Sequence, residues 1–175
     1  MRYVGPEDCQ TIAFPYIHQH LSRGEPAPAY AEESTGLEEL KKVLTLVQDD
    51  RYYPTLADKS SYVLCGIAGA QYFSNGNKRL GVVTLLLFLI VNRVELLVLP
   101  KKAYPELLLD QFPEHRWEEN PYITGDFSLF LYNLAIVIGD RNRWGVDDFG
   151  ALRKRVAVIF ERLFRLAPDP QSPSS

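Results

Sequence analysis

Residues 80–91 constrain this chain more than any other stretch. They are twelve consecutive positions in which Thr84 is the one polar side chain, closed by Lys78-Arg79 before and Asn92-Arg93 after. A helix of that length reaches about 18 Å, well short of the roughly 30 Å of bilayer hydrocarbon. A segment apolar on every side cannot face water, so other elements have to cover it. The run therefore predicts a central buried helix over 78–92 inside a shell of amphipathic helices. The 175 residues, 46% hydrophobic and 23% charged, supply enough apolar surface for one ordinary core without staples.

The flanking segments read as helices too. Pro15 starts one over 16–23, with Gly24 as its stop. Thr35 and Glu38 have capping-box spacing, and Leu37, Leu40, Val43, Leu44 and Val47 then recur at three- and four-residue steps. A further helix is expected over 56–71, burying Val63, Leu64, Ile67 and Ala68, followed by a short polar break over 72–77. Residues 94–99 are β-like or extended. The acidic, Pro-interrupted stretch 105–125 predicts a short helix and a surface loop, with His115 exposed. Asp126 caps a helix over 127–138, with Gly139 just past its end. Asp147-Asp148 open a last helix to about 166, whose Arg153, Lys154, Arg155, Arg162 and Arg165 read as a solvated basic face. The Pro/Ser-rich residues 167–175 read as a flexible tail.

Several functional classes are disfavoured. Formal charge is −3, which does not suit bulk electrostatic binding of nucleic acid. Cys9 and Cys65 form no CxxC pair and only three histidines are present (His18, His20, His115), so no Cys/His zinc site is expected. Cys65 sits in an apolar helical stretch and reads as a buried free thiol, which fits a reducing cytoplasm. The first residues carry no apolar signal region, so neither secretion nor a membrane anchor is expected.

Chemistry concentrates in Gln71-Tyr72-Phe73-Ser74-Asn75-Gly76-Asn77-Lys78-Arg79. A polar turn leads into a buried helix whose first amides have no partner within the helix, and whose dipole adds partial positive charge. Gly76 permits positive φ and close approach of a ligand, while Lys78 and Arg79 add full charges. Together these make a phosphate-sized anion site. The order of residues is not that of a Walker A loop. Two plainer readings stand beside it: a helix–helix connection with Lys78 and Arg79 solvated, and an Asn75-Gly76 hairpin turn, which the helical length of the next run disfavours.

The same stretch resembles the signature of the Fic/Doc (death-on-curing) family, His-x-Phe-x-(Asp/Glu/Asn)-Gly-Asn-(Gly/Lys)-Arg, through Phe73, Gly76, Asn77, Lys78 and Arg79. Lys78 favours the Doc-like branch. The resemblance extends to Tyr53-Pro54-Thr55-Leu56-Ala57-Asp58-Lys59 before the signature and to Leu85-Leu86-Leu87-Phe88-Leu89 and Asn92 after it, with residues 12–99 the best-matching core of one domain over 1–166. It implies a mostly α, Fic/Doc-like helical bundle that admits a short β-hairpin flap near 47–53. Tyr52 and Tyr53 would there contact a target segment, or else pack on the core edge. It also implies a nucleoside triphosphate, ATP in first place, with Mg²⁺, held by Phe73, Ser74, Asn75, Gly76, Asn77, Lys78 and Arg79. The chemistry implied is transfer of AMP or phosphate to a protein hydroxyl, and the partners an antitoxin or a protein target.

Two positions depart from the family pattern. Gln71 stands where the family has its histidine base, and a carboxamide takes no proton near neutrality; losing such a base removes about 10²–10⁴ of rate. Asn75 stands at the metal-ligand position, where a neutral oxygen is weaker than a carboxylate. The expectation is an anion-binding turn without efficient transfer. The alternatives are an active Doc-like or Fic-like toxin using another base, and a protein-interaction scaffold on the same fold.

Overall fold

The computed structural model describes residues 1–144 and 148–167. The element order is α1 (Pro6–Asp8), a π-helical turn (Cys9–Ala13), α2 (Phe14–His20), a 3-10 turn (Tyr30–Glu32), α3 (Ser34–Leu46), α4 (Leu56–Ala68), α5 (Asn77–Val91), β1 (Val94–Leu96), α6 (Ala103–Gln111), α7 (Asp126–Gly139), a 3-10 turn (Arg141–Trp144), α8 (Phe149–Leu163) and β2 (Phe164–Leu166). The fold is mostly α, as expected.

The pair α4–α5 is the septum of the molecule. Gly81 lets the two helices close up, since a Cβ there would lie 2.9 Å from the Cβ of Ala68. On one side, Leu85 and Leu89 meet α6, α7 and α8 through Leu108, Phe130, Leu134 and Phe160. On the other, Leu80, Val83 and Phe88 meet the amino-terminal elements and α3 through Cys9, Ile17, Leu40 and Val43. Packing on both sides is why 80–91 needs no polar face. Its last turn emerges from this cover, leaving Ile90 and Val91 exposed.

Element boundaries differ from the sequence expectation where proline, glycine or a distant partner intervenes. The first helical segment begins at Pro6, not near Pro15; Gly5 caps it, its N–H donating to Asp8. Pro15 is accommodated because the preceding turn is π-helical, and a wide turn relieves the clash of a proline ring with the carbonyl four residues back. Thr35 and Glu38 form no capping box: α3 starts at Ser34 with Glu33 as its cap residue. A capping box does open α4, where Thr55 Oγ1 accepts from Asp58 N and Asp58 accepts from Thr55 N. α4 ends at Ala68, three residues earlier than expected. Gly69 follows as its cap, and its missing Cβ admits the Cys65 carbonyl.

α7 begins at Asp126 itself, with Gly125 at φ +92 as the cap residue, so Asp126 supports the helix dipole from the first turn rather than capping it. α8 is capped by Asp148, whose Oδ1 accepts from Ala151 N at 2.6 Å; Asp147 lies outside the described residues. α8 stops at Leu163, because residues 164–166 pair antiparallel with 94–96, Glu95 opposite Arg165. Residues 47–53, where a flap strand was expected, form turns.

The basic face of α8 is not simply solvated. Arg153 bonds Asp58 on α4 at 3.1 Å, Arg155 bonds the Gln111 carbonyl at 3.0 Å, and Arg162 pairs with Asp110 at 3.0 Å. His115 is buried, not exposed: its Nε2 lies 3.0 Å from Asn133 Oδ1. Asn133 on α7 is itself fully buried. It accepts from Glu118 N and donates to the carbonyls of Glu118 and Leu129, so one side chain pins the acidic loop onto the core. Cys65 and Cys9 are buried free thiols. No helix among the described residues is long and apolar enough to cross a membrane.

Candidate functional site

The turn between α4 and α5 is built on a buried ring. Phe73 is 2% exposed and packs edge-on against Tyr30, with ring centroids 5.0 Å apart. Gly36 on α3 makes room for it: a Cβ at that position would lie 2.6 Å from the Phe73 ring. Asn77, the first residue of α5, closes the turn from inside. Its Oδ1 accepts from Phe73 N at 3.0 Å and its Nδ2 donates to Phe73 O at 2.8 Å. The carboxamide thus serves as a backbone partner, which explains an asparagine buried at this point.

Gly76 sits at φ +75, and a Cβ there would collide with the Tyr30 hydroxyl. That hydroxyl donates to Gly76 O at 3.0 Å. Burial pushes the Tyr30 phenol up to about 12, with nearby Arg79 pulling the other way. Glycine is required here twice, by backbone angle and by space.

The side chains expected to meet an anion are engaged within the chain. Ser74 donates to Glu33 through its N–H at 2.8 Å and its hydroxyl at 2.6 Å. Arg79 donates to the carbonyls of Leu21 at 2.8 Å, Glu25 at 2.5 Å and Pro26 at 3.3 Å, and to Asn75 Oδ1 at 2.7 Å; the Glu25 carboxylate lies 3.7 Å away. Asn75 Nδ2 donates to Pro26 O at 2.9 Å. Lys78, about half exposed, stands 3.5 Å from Asp140 at the end of α7. The backbone N–H groups of Gly76, Asn77, Lys78 and Arg79 donate to no group among the described residues. These four amides stand at the positive end of a fifteen-residue helix, and the residue that carries the second of them, Asn77, is buried.

Gln71 is exposed in the loop after α4, and its side chain bonds to no described residue. His18 and His20, on α2, have ring contacts with Tyr30 and Tyr16 and no hydrogen bond to the turn among the described residues. Asn75, at the position of the metal ligand that the resemblance implies, has its oxygen accepting from the Arg79 guanidinium. Tyr53 is buried, stacked on Tyr62 at 4.2 Å with Arg153 over its outer face, while Tyr52 is 62% exposed. Of the two, only Tyr52 is placed to touch another molecule.

Glu33 and Tyr30 are the site residues that sequence reasoning missed. Glu33 is visible as an acid one residue before a helix, and nothing local ties it to Ser74, 41 positions on. Tyr30 follows a proline-rich stretch, where an aromatic flanked by loop residues gives no periodic signal.

No family model, no curated protein and no solved structure matches this chain.

Proposed function

We propose that this chain is a Fic/Doc-like protein whose turn at 74–79 receives a phosphate-bearing ligand, a nucleoside triphosphate in first place, without efficient group transfer. The observation that carries the reading is the row of four undonated amides from Gly76 to Arg79 at the start of α5, three residues beyond a ring-anchored Phe73 and following Gln71. Such amides bind phosphate oxygens in the plane of the turn, and Lys78 is exposed enough to add its charge. Ser74 and Glu33 would have to part for a phosphate to use the Ser74 donors.

The chemistry stops there for a definite reason. A hydroxyl that attacks a phosphoryl group must shed a proton, and a carboxamide at position 71 offers no basic lone pair to take it.

The test is calorimetry with ATP, GTP and UTP, with and without Mg²⁺, on the wild type and on Lys78→Ala. Binding that weakens in Lys78→Ala is the expected result; no heat with any nucleotide ends the reading. Gln71→His is then assayed for transfer of label from α- and γ-labelled ATP into a lysate. Regained transfer identifies a site that lost only its base.

A second reading, an interaction scaffold on the same fold, is favoured by one observation: Ser74 and Arg79 are satisfied by the chain itself. Under that reading Gln71→His regains nothing, and Tyr52 marks the exposed surface to probe.

A further inference from the structure

Residues 21–29 form a strap from the end of α2 to the Tyr30 turn, crossing the start of α5. The strap holds itself poorly. Arg23, Gly24, Glu25 and Pro26 are exposed, and Ala27 is only partly packed against the core. No backbone N–H from residue 22 to residue 29 donates to a described residue. Its ends are tied locally, by Ser22 Oγ to the Ile17 carbonyl and by Tyr30 N and Glu32 N to the carbonyls of Pro28 and Ala29, but its middle is held from outside: Arg79 bonds the carbonyls of Leu21, Glu25 and Pro26, and Asn75 adds a second bond to Pro26. A segment with little burial and few bonds of its own is open as often as its external bonds allow.

Arg79 cannot serve two masters. Its guanidinium is spread over three neutral carbonyls and Asn75, while the nearest carboxylate, that of Glu25, stands off at 3.7 Å. An anion seated on the neighbouring amides offers paired charged acceptors, which a guanidinium prefers to neutral ones. We infer that Arg79 is a two-position latch: on the carbonyls of Leu21, Glu25 and Pro26 it pins the strap across the turn, and drawn to an anion at 76–79 it releases the strap. The inference deepens the proposed function and its second half rests on that reading; the first half stands on the geometry alone. Arg79 is in this role a positioning residue for the strap, and the strap reports whether the turn is filled.

Trypsin reads the strap directly, because the Arg23–Gly24 bond lies in it and is exposed. The full chain is digested under native conditions, and release of fragment 1–23 is timed against cleavage after Lys41 in α3 as an internal reference. Losing charge-assisted bonds of this kind speeds the opening that cleavage requires by about tenfold or more, so Arg79→Ala accelerates the cut after Arg23 and leaves Lys41 unchanged. Arg79→Lys, a point charge unable to span three carbonyls, falls between. Asn75→Ala, which removes one strap bond and one acceptor of the guanidinium while leaving its three carbonyl bonds in place, gives a smaller acceleration and serves if Arg79→Ala does not fold. Wild type digested with ATP or with inorganic phosphate, each at a concentration shown to saturate by calorimetry, accelerates likewise; phosphate alone sufficing assigns the effect to the anion and not the nucleoside.

Unchanged cleavage after Arg23 in the Arg79 and Asn75 variants overturns the latch. Measured binding without acceleration overturns the release and leaves the proposed function standing. No binding of either anion overturns both the proposed function and the release, while the variants alone decide whether Arg79 holds the strap.

Discussion

Glu33→Gln keeps the shape of the side chain facing Ser74 and removes its charge. Two bonds are at stake, from Ser74 N at 2.8 Å and from its hydroxyl at 2.6 Å. A hydrogen bond to a charged group contributes about 1.5–3 kcal/mol when sheltered. Here Ser74 is exposed and Glu33 half-buried, so water competes, and about 1–2 kcal/mol for the pair is the fitting scale. A phosphate that takes over the Ser74 donors must first displace this carboxylate, and must bear its repulsion afterwards. Removing the charge should therefore tighten ATP binding by about 5–30-fold, each tenfold being 1.4 kcal/mol. The same change should lower the melting temperature slightly, because Gln can accept only one of the two bonds through its oxygen. Calorimetry on wild type and variant, with a thermal melt of each, separates the two effects. Equal or weaker binding by a folded Glu33→Gln would refute the idea that this carboxylate competes with the ligand.

Asn133→Ala strips partners from Glu118, Leu129 and His115 at a fully buried position, and should cost about 3–5 kcal/mol in urea unfolding, with the acidic loop losing protection first. The Tyr30 phenol, pushed by burial from 10.0 up to about 12, adds stability that is intact below pH 10 and lost as pH rises towards 12, where the unfolded chain ionises before the native one; the urea midpoint should fall across that window, and less steeply in Tyr30→Phe. Burial raises both thiols, Cys9 to about 11, so iodoacetamide at about pH 8 should leave both unmodified in the native chain and label both in urea.

What the sequence made legible follows from how local each signal is. The central helix was readable because twelve apolar positions in a row admit only a buried element, and the stripes at 40, 43, 44, 47 and at 63, 64, 67, 68 because burial on one side of a helix imposes a spacing. Helix ends were less legible. Thr35 has capping chemistry, yet α3 starts before it, because Glu33 provides the first carbonyl and spends its carboxylate on Ser74. His115 looked exposed within an acidic loop, and its buried partner, Asn133, lies 18 positions away on α7. In the turn itself, residue types were informative about the backbone and silent about side-chain partners. Gly76 and Asn77 do what a tight turn into a helix demands, while nothing near Arg79 in sequence announces the carbonyls of residues 21–26.

Those internal partners change the energetics that the proposed function has to satisfy. Lys78 stands beside Asp140, Arg79 beside Glu25 and Ser74 against Glu33, and the chain as a whole carries −3, so neither the turn nor the molecule draws an anion from a distance. Binding would instead be an exchange in which each internal acceptor given up offsets an external one gained. The gain left over is the difference between a phosphate oxygen and a carbonyl as acceptors, where charge assistance roughly doubles the bond, together with the four amides that give up nothing. An exchange of this kind is tuned by whatever competes with the ligand. Under the proposed function, control over occupancy would then belong to residues 21–33, which supply the competing carbonyls and carboxylate, while α5 provides the donors.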